Sequence, residues 1–305
     1  MLSQGADMKI GMNLLLWTPF VTEGHFPILE QLKATGFDGV EVPLFSGSVE
    51  HYHKVAKALR DNGLKCTTCT VIPDEQHNPI SPDSKNRQGA VDYLNRVIDY
   101  AAALGAEILA GPFYQPLGVF TGQPPSNEEK KRAAQVHRQV ADYAERVNIR
   151  LAVEALNRFE CYFLNTIKDA ADYARQVNHP NFGIMYDAFH ANIEEKDPVG
   201  CITEHVDLIR HVHVSENDRG TPGKGHVPFA QIFKILRQGG YDGWLTIEAF
   251  GRDMPELAAT TRIWRDVSAS QQECYTEGYR MIKQLWEEAE LGACRRSTNR
   301  TKKTK

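Results

Sequence analysis

Several features that would assign this 305-residue chain early are scarce or missing. No apolar run approaches the roughly 20 residues that a membrane-spanning helix needs, so no membrane partner is expected. The opening MLSQGADMKIGMN lacks a basic segment followed by an apolar stretch and a small-residue cleavage site, and does not read as a secretory leader. Positive charge is not in excess: 35 Lys and Arg stand against 39 Asp and Glu, a net charge of -4. That removes the electrostatic case for a nucleic-acid partner. Cysteine is sparse, six residues scattered along a large chain, which fits reduced thiols in a cytoplasm better than a disulfide framework. Cys66 and Cys69 form a lone CxxC within KCTTCTVI; in a strand, residues three apart point to opposite faces, so two buried thiols are expected rather than a shared metal.

No Pro-, Gly- or Ser-rich linker divides the chain. One catalytic domain is expected over residues 8–291, between a disordered start (1–7) and a basic, disordered tail (292–305, GACRRSTNRTKKTK). Within that domain, short apolar runs alternate with longer amphipathic segments. The runs are KIGMNLLLW (9–17), FDGVEVPLF (37–45), LKCTTCTVI (64–72), AEILAGPFY (106–114), IRLAVEAL (149–156), FGIMYDAFH (182–190), IRHVHVSEN (209–217) and GWLTIEAF (243–250), eight strand candidates. Between them lie helical patterns such as residues 48–63, with Ser48 as N-cap and Gly63 as stop, and 126–147, opened by Ser126 and Glu129 in capping-box spacing. TGFDG (35–39) and GGYDG (239–243) read as matching helix-to-strand turns. Eight βα units in a length near the usual ~250 residues favour an α/β fold of the (β/α)8 TIM barrel type. A doubly wound sheet is disfavoured because the first βα junction, LLLWTPFVTEG, carries no GxGxxG.

In such a barrel the site forms at the C-terminal ends of the strands. The last four strand candidates each end in an ionisable residue: Glu154, Asp187, His213 and Glu248. One acidic strand end is readily a helix cap or a solvated loop residue; four converging on one mouth call for another cause. Three carboxylates in a partly desolvated mouth repel one another unless a cation neutralises them. One imidazole with three carboxylates favours a hard divalent ion, Mn2+, Mg2+ or Co2+, over a structural zinc. His211 alternates with His213 and faces the same way, one layer deeper. His190 is expected at the rim; His51, His53 and His137 fall on helical patterns as surface or packing residues.

The segments VEALNRFECYFLNT (153–166), GIMYDAFHANIEE (183–195), HVHVSENDRGTPGKGHV (211–227) and WLTIEAF (244–250) resemble the D-tagatose 3-epimerase-like ketose 3-epimerases of the xylose isomerase-like barrel superfamily. The resemblance covers most of residues 8–290. It implies that Glu154, Asp187, His213 and Glu248 hold the metal, that Glu154 and Glu248 are the two acid/base catalysts, and that Glu160, His190 and Arg219 bind the sugar. It further implies a free ketohexose or ketopentose substrate and a homo-oligomer, dimer or tetramer. Where several members carry a tryptophan over the sugar, this chain reads AGPFYQPLGVFTG, leaving Phe113, Tyr114 or Phe120 for that place. The loops 17–26 and 73–79 are expected to complete the pocket. Asn157 and Arg158 are left unassigned, with ordering of their loop as the expectation. Alternative activities on the same scaffold are an aldose–ketose or hydroxypyruvate isomerase, or a phosphorylated substrate held by GTPGKGHV (220–227). A DNA-repair endonuclease would need more strand-end histidines and a basic groove, and neither is visible.

Overall fold

The computed structural model describes residues 8–300, with side chains over 8–290. The expected disordered start lies outside these residues. The expected tail lies outside them beyond Arg300, and over 292–300 only the backbone is described.

Eight parallel strands close into a barrel in chain order, β1 through β8 and back to β1. They are β1 (Lys9–Asn13), β2 (Gly39–Pro43), β3 (Lys65–Cys69), β4 (Ile108–Gly111), β5 (Arg150–Glu154), β6 (Phe182–Asp187), β7 (Ile209–Val214) and β8 (Trp244–Ile247). Each falls inside one of the eight apolar runs. The helices are α1 (Phe26–Thr35), α2 (Val49–Asp61), α3 (Ser84–Leu104), α4 (Asn127–Arg146), α5 (Ile167–Val177), α6 (Ala188–Glu194), α7 (Gly200–Thr203), α8 (Phe229–Gln238), α9 (Pro255–Thr261) and α10 (Gln271–Arg300).

Local chemistry sets the ends of these elements. Ser48 accepts from His51 N at the start of α2, and at α4 Ser126 and Glu129 cap each other's backbone reciprocally. Gly36 takes a left-handed φ of 117° to stop α1 before β2. The floor of the barrel is filled by Trp244, fully buried, whose indole donates to Glu107 Oε2 at 3.1 Å. Gly39 has no side chain because a Cβ there would lie 2.6 Å from that indole and 2.4 Å from the Lys65 carbonyl. Cys66 and Cys69 are buried free thiols, as the strand reading requires.

One irregularity bears on the site. Pairing between β6 and β7 runs Ile184 to Ile209, then Met185 to His211, so Arg210 is an extra residue on β7. Beyond it the register brings Asp187 directly opposite His213. No described helix is long and apolar enough to cross a membrane.

Candidate metal and active site

The C-terminal mouth gathers the four strand-end residues. Glu154 and Asp187 are the last residues of β5 and β6, His213 is the penultimate residue of β7, and Glu248 follows β8 directly. All four are buried. Asp187, His213 and Glu248 offer ligand atoms that lie within 4.8 Å of one another. Glu154 joins Asp187 in a second such group, completed by His190 rather than His213. Asp187 is common to both.

The donor set fits a divalent cation, and His213 supplies the observation. Its Nε2 lies 2.6 Å from Glu41 Oε1, whereas its buried Nδ1 has no hydrogen-bond partner. That nitrogen sits 3.4 Å from both Asp187 Oδ2 and Glu248 Oε2. An imidazole nitrogen without a partner, aimed between two carboxylates, presents a mixed nitrogen and oxygen ligand set.

Electrostatics distinguish the carboxylates. Burial, reinforced by Asp187 and Glu248, pushes the Glu154 carboxyl well above its usual range. Burial opposes ionisation of Asp187 as well, but Arg219, His190 and His213 outweigh it and hold that carboxyl well below its usual range. Burial pushes His190 down to about 3, so its ring is neutral at ordinary pH. For His213, burial is outweighed by the Glu248 and Glu41 carboxylates, which hold the ring well above its usual value while no cation is bound; a cation at Nδ1 would take the place of that proton.

The residues expected to hold substrate surround this cluster. His190 is buried rather than at the rim: Nδ1 accepts from Asn157 N at 3.1 Å and Nε2 lies 3.0 Å from Arg219 Nη2. Asp187 caps α6 by accepting from Phe189 N and His190 N, which holds His190 in the first turn beside the mouth. Arg219 sits at a left-handed φ of 64° in the loop after β7, its guanidinium 3.8 Å above the Phe189 ring. Its Nη1 donates to Glu248 Oε2 (2.5 Å), Ser215 Oγ (2.8 Å) and Asp187 Oδ2 (3.2 Å). Arg219 therefore reaches two of the three strand-end carboxylates themselves. Glu160 is half-buried; burial raises its carboxyl and Arg219 draws it back. Arg158 grips Glu194 with both arms of its guanidinium, and Asn157 Oδ1 accepts from Phe159 N, so both residues order the loop after β5.

Two of the three aromatic candidates are displaced. Phe113 packs against His137 and Phe182 in the helical layer, and Tyr114 Oη lies 3.1 Å from Cys161 Sγ beneath the loop after β5. Only Phe120 of the three is exposed. Loops 17–26 and 73–79 follow β1 and β3, on the same face as the mouth. Two surface depressions, of about 540 Å3 between α1 and α10 and about 410 Å3 between loop 17–26 and α2, lie away from the carboxylates.

Sequence reasoning missed Glu41. It is fully buried in the middle of β2 and contacts both strand histidines: Oε2 lies 2.7 Å from His211 Nε2, at ion-pair distance but off the N–H direction. The available signal was a lone charge inside the run VEVPL. Ser215 was missed too; its Oγ donates to the Glu248 carbonyl and accepts from Arg219.

A family model described as xylose isomerase-like TIM barrel matches residues 29–283. A protein of Arthrobacter globiformis named ketose 3-epimerase is 34% identical over 269 residues, 87% of this chain and 92% of its own. One from Synechocystis, named a probable ketose 3-epimerase, is 30% identical over 92% of this chain and 97% of its own. Among solved structures, a D-allulose 3-epimerase of Methylomonas superposes with a TM-score of 0.85 at 26% identity, covering 92% of this chain and 98% of that one.

Proposed function

This chain belongs to the ketose 3-epimerases of the xylose isomerase-like TIM-barrel family, and from that membership and its four-residue mouth we propose that it inverts C3 of a free ketohexose or ketopentose. D-Tagatose, D-fructose, D-psicose and L-ribulose are the substrate types. The observation that carries the reading is the pair Glu154 and Glu248, buried at the ends of β5 and β8, each grouped with Asp187.

Glu154, Asp187, His213 and Glu248 would hold a divalent ion, Mn2+ before Co2+ or Mg2+. When bound, it supplies Lewis acidity that polarises the ketose carbonyl at C2 and stabilises negative charge developing as C3 loses its proton. One glutamate takes the C3 proton and the other returns a proton to the opposite face of the planar enediolate. Reversal exchanges their roles, as an epimerase needs. Arg219 and His190 donate to the sugar oxygens and orient C3 between the glutamates, with Glu160 on the substrate side. Phe120 is the aromatic left to cover the sugar.

A free sugar is favoured over a phosphorylated one by the state of loop 220–227. The Gly223 and Val227 amides are taken by the Glu216 carboxylate at 2.8 and 3.0 Å, and Lys224 pairs with Glu273 at 2.9 Å. A phosphate finds its donors there already occupied by carboxylates. A cytoplasmic homo-oligomer, dimer or tetramer, completes the reading. The free thiols support the compartment, and exposed Phe120 and Phe159, on loops joined by a Gly118 N–H to the Glu160 carbonyl, support the assembly.

The test is incubation with D-fructose, D-tagatose and L-ribulose in heavy water with Mn2+, reading the label by NMR. Deuterium at C3 is expected, and label at C1 or C2 makes the enzyme an aldose–ketose isomerase instead. Glu154→Gln and Glu248→Gln should each lower turnover by at least about 100-fold, the low end for loss of an acid/base group. Near-normal turnover in either variant removes the two-base mechanism.

A further inference from the structure

Beneath the mouth the barrel interior holds a second charged layer that the proposed reaction does not use. At its centre is the Glu41 carboxylate, fully buried. Oε1 accepts from Asn13 Nδ2 at 2.7 Å and lies 2.6 Å from His213 Nε2. Oε2 accepts from Thr67 Oγ1 at 3.2 Å and faces His211 Nε2 at 2.7 Å. Three strands besides β2 thus hold one carboxylate: β1, β3 and β7.

The direction of these bonds is fixed from outside the cluster. Asn13 Oδ1 accepts from Leu15 N at 2.8 Å, so the Asn13 group facing Glu41 is the amide donor. Oε1 is therefore an acceptor, and the His213 nitrogen facing it carries the hydrogen. The nitrogen left for the mouth is Nδ1, the one with no partner.

We propose that Glu41 is a positioning residue of the metal centre: by accepting the Nε2–H of His213 it fixes the ring's tautomer and orientation and turns Nδ1, as a strengthened donor, toward Asp187 and Glu248. The inference rests on the reading of His213 as a metal ligand. A carboxylate behind a ligating imidazole raises the basicity of the metal-facing nitrogen and prevents the ring from turning. Asn13 holds Glu41 in turn, so the support extends from β1 through β2 to β7. His211 lies on the other oxygen and keeps the carboxylate from rotating. Glu41, His211 and His213 could themselves be mistaken for a metal cluster, since their ligand atoms also lie within 4.8 Å. Glu41, however, already has four neighbours donating to or facing its two oxygens.

Mn2+ binding to the metal-stripped enzyme, followed by calorimetry, tests this without reference to turnover. Wild type should bind one ion per chain. Glu41→Ala should weaken binding by about 10- to 100-fold, the usual effect of losing such a partner. Glu41→Gln should weaken it less, because the amide oxygen still accepts from Nε2–H while the charge is gone. His213→Gln is the reference. If it weakens binding and Glu41→Ala does not, Glu41 has no positioning role and the metal reading stands. If neither changes binding, the metal reading fails and the proposal with it. Two ions per wild-type chain would put metal at Glu41 and overturn the proposal. Nitrogen-15 NMR of the wild-type imidazoles, loaded with Mg2+, needs no variant to fold: His213 should show hydrogen on Nε2, and hydrogen on Nδ1 refutes the assignment.

Discussion

At Asp187 the two carboxylate oxygens divide their work: Oδ1 accepts from Phe189 N and His190 N at the start of α6, while Oδ2 faces His213 and Arg219. One side chain thus caps a helix and still presents an oxygen to the cluster at the mouth. His137 shows the opposite outcome, a histidine with no part in the mouth. Its Nε2 lies 3.0 Å from the Phe113 carbonyl, which can only accept, so Nδ1 accepts from the Tyr173 hydroxyl. Burial pushes this ring down to about 4, with the carbonyl pulling partly back. In the unfolded chain a histidine titrates near 6.5. Between these values the unfolded state binds the extra proton, so stability is complete above about pH 6.5 and drains away as pH falls toward 4. The loss is on the order of 3 kcal/mol at the acid end. Melting temperatures of wild type and His137→Gln across pH 7 to 4 should show a flatter slope in the variant; parallel slopes assign the acid sensitivity elsewhere.

Among the elements, what was legible lay close together along the chain. The α4 capping box needs only Ser126 and Glu129, three residues apart, and both partners are where the pattern puts them. Replacing Ser126 with Ala should cost about 1 kcal/mol, readable as a lower urea midpoint at unchanged slope. A midpoint within error of wild type would mean that α4 is held by packing alone. The four strand-end residues Glu154, Asp187, His213 and Glu248 were legible as a group for a related reason, since charge appears where an apolar run stops. Glu41 offers no such edge. It interrupts a buried strand, and the partners that explain it, Asn13 and His213, lie 28 and 172 residues away. Nothing in the sequence separated Phe113, Tyr114 and Phe120, because a position after β4 says nothing of which way a chain leaves the barrel rim.

The whole molecule is a closed ring of strands, and closure converts sequence phase into position: alternate residues face the interior or the helices. The number of residues between two ligands therefore matters less than whether each strand arrives in phase. The extra residue at Arg210 is the place where phase is reset. Ile209 before it pairs with Ile184, and His211 after it pairs with Met185. Chain length can thus change by one at this point without exchanging the inside and outside of the upper strand. Deleting Arg210 should give a folded protein that still binds Mn2+, whereas deleting Val212, two residues later, should turn either His211 or His213 toward the helices and lose the ion. Equal loss in both would show that the strand tolerates no change of length. If the difference holds, β7 carries a spacer that lets the connection from α7 gain or lose a residue over evolutionary time while His213 keeps its place.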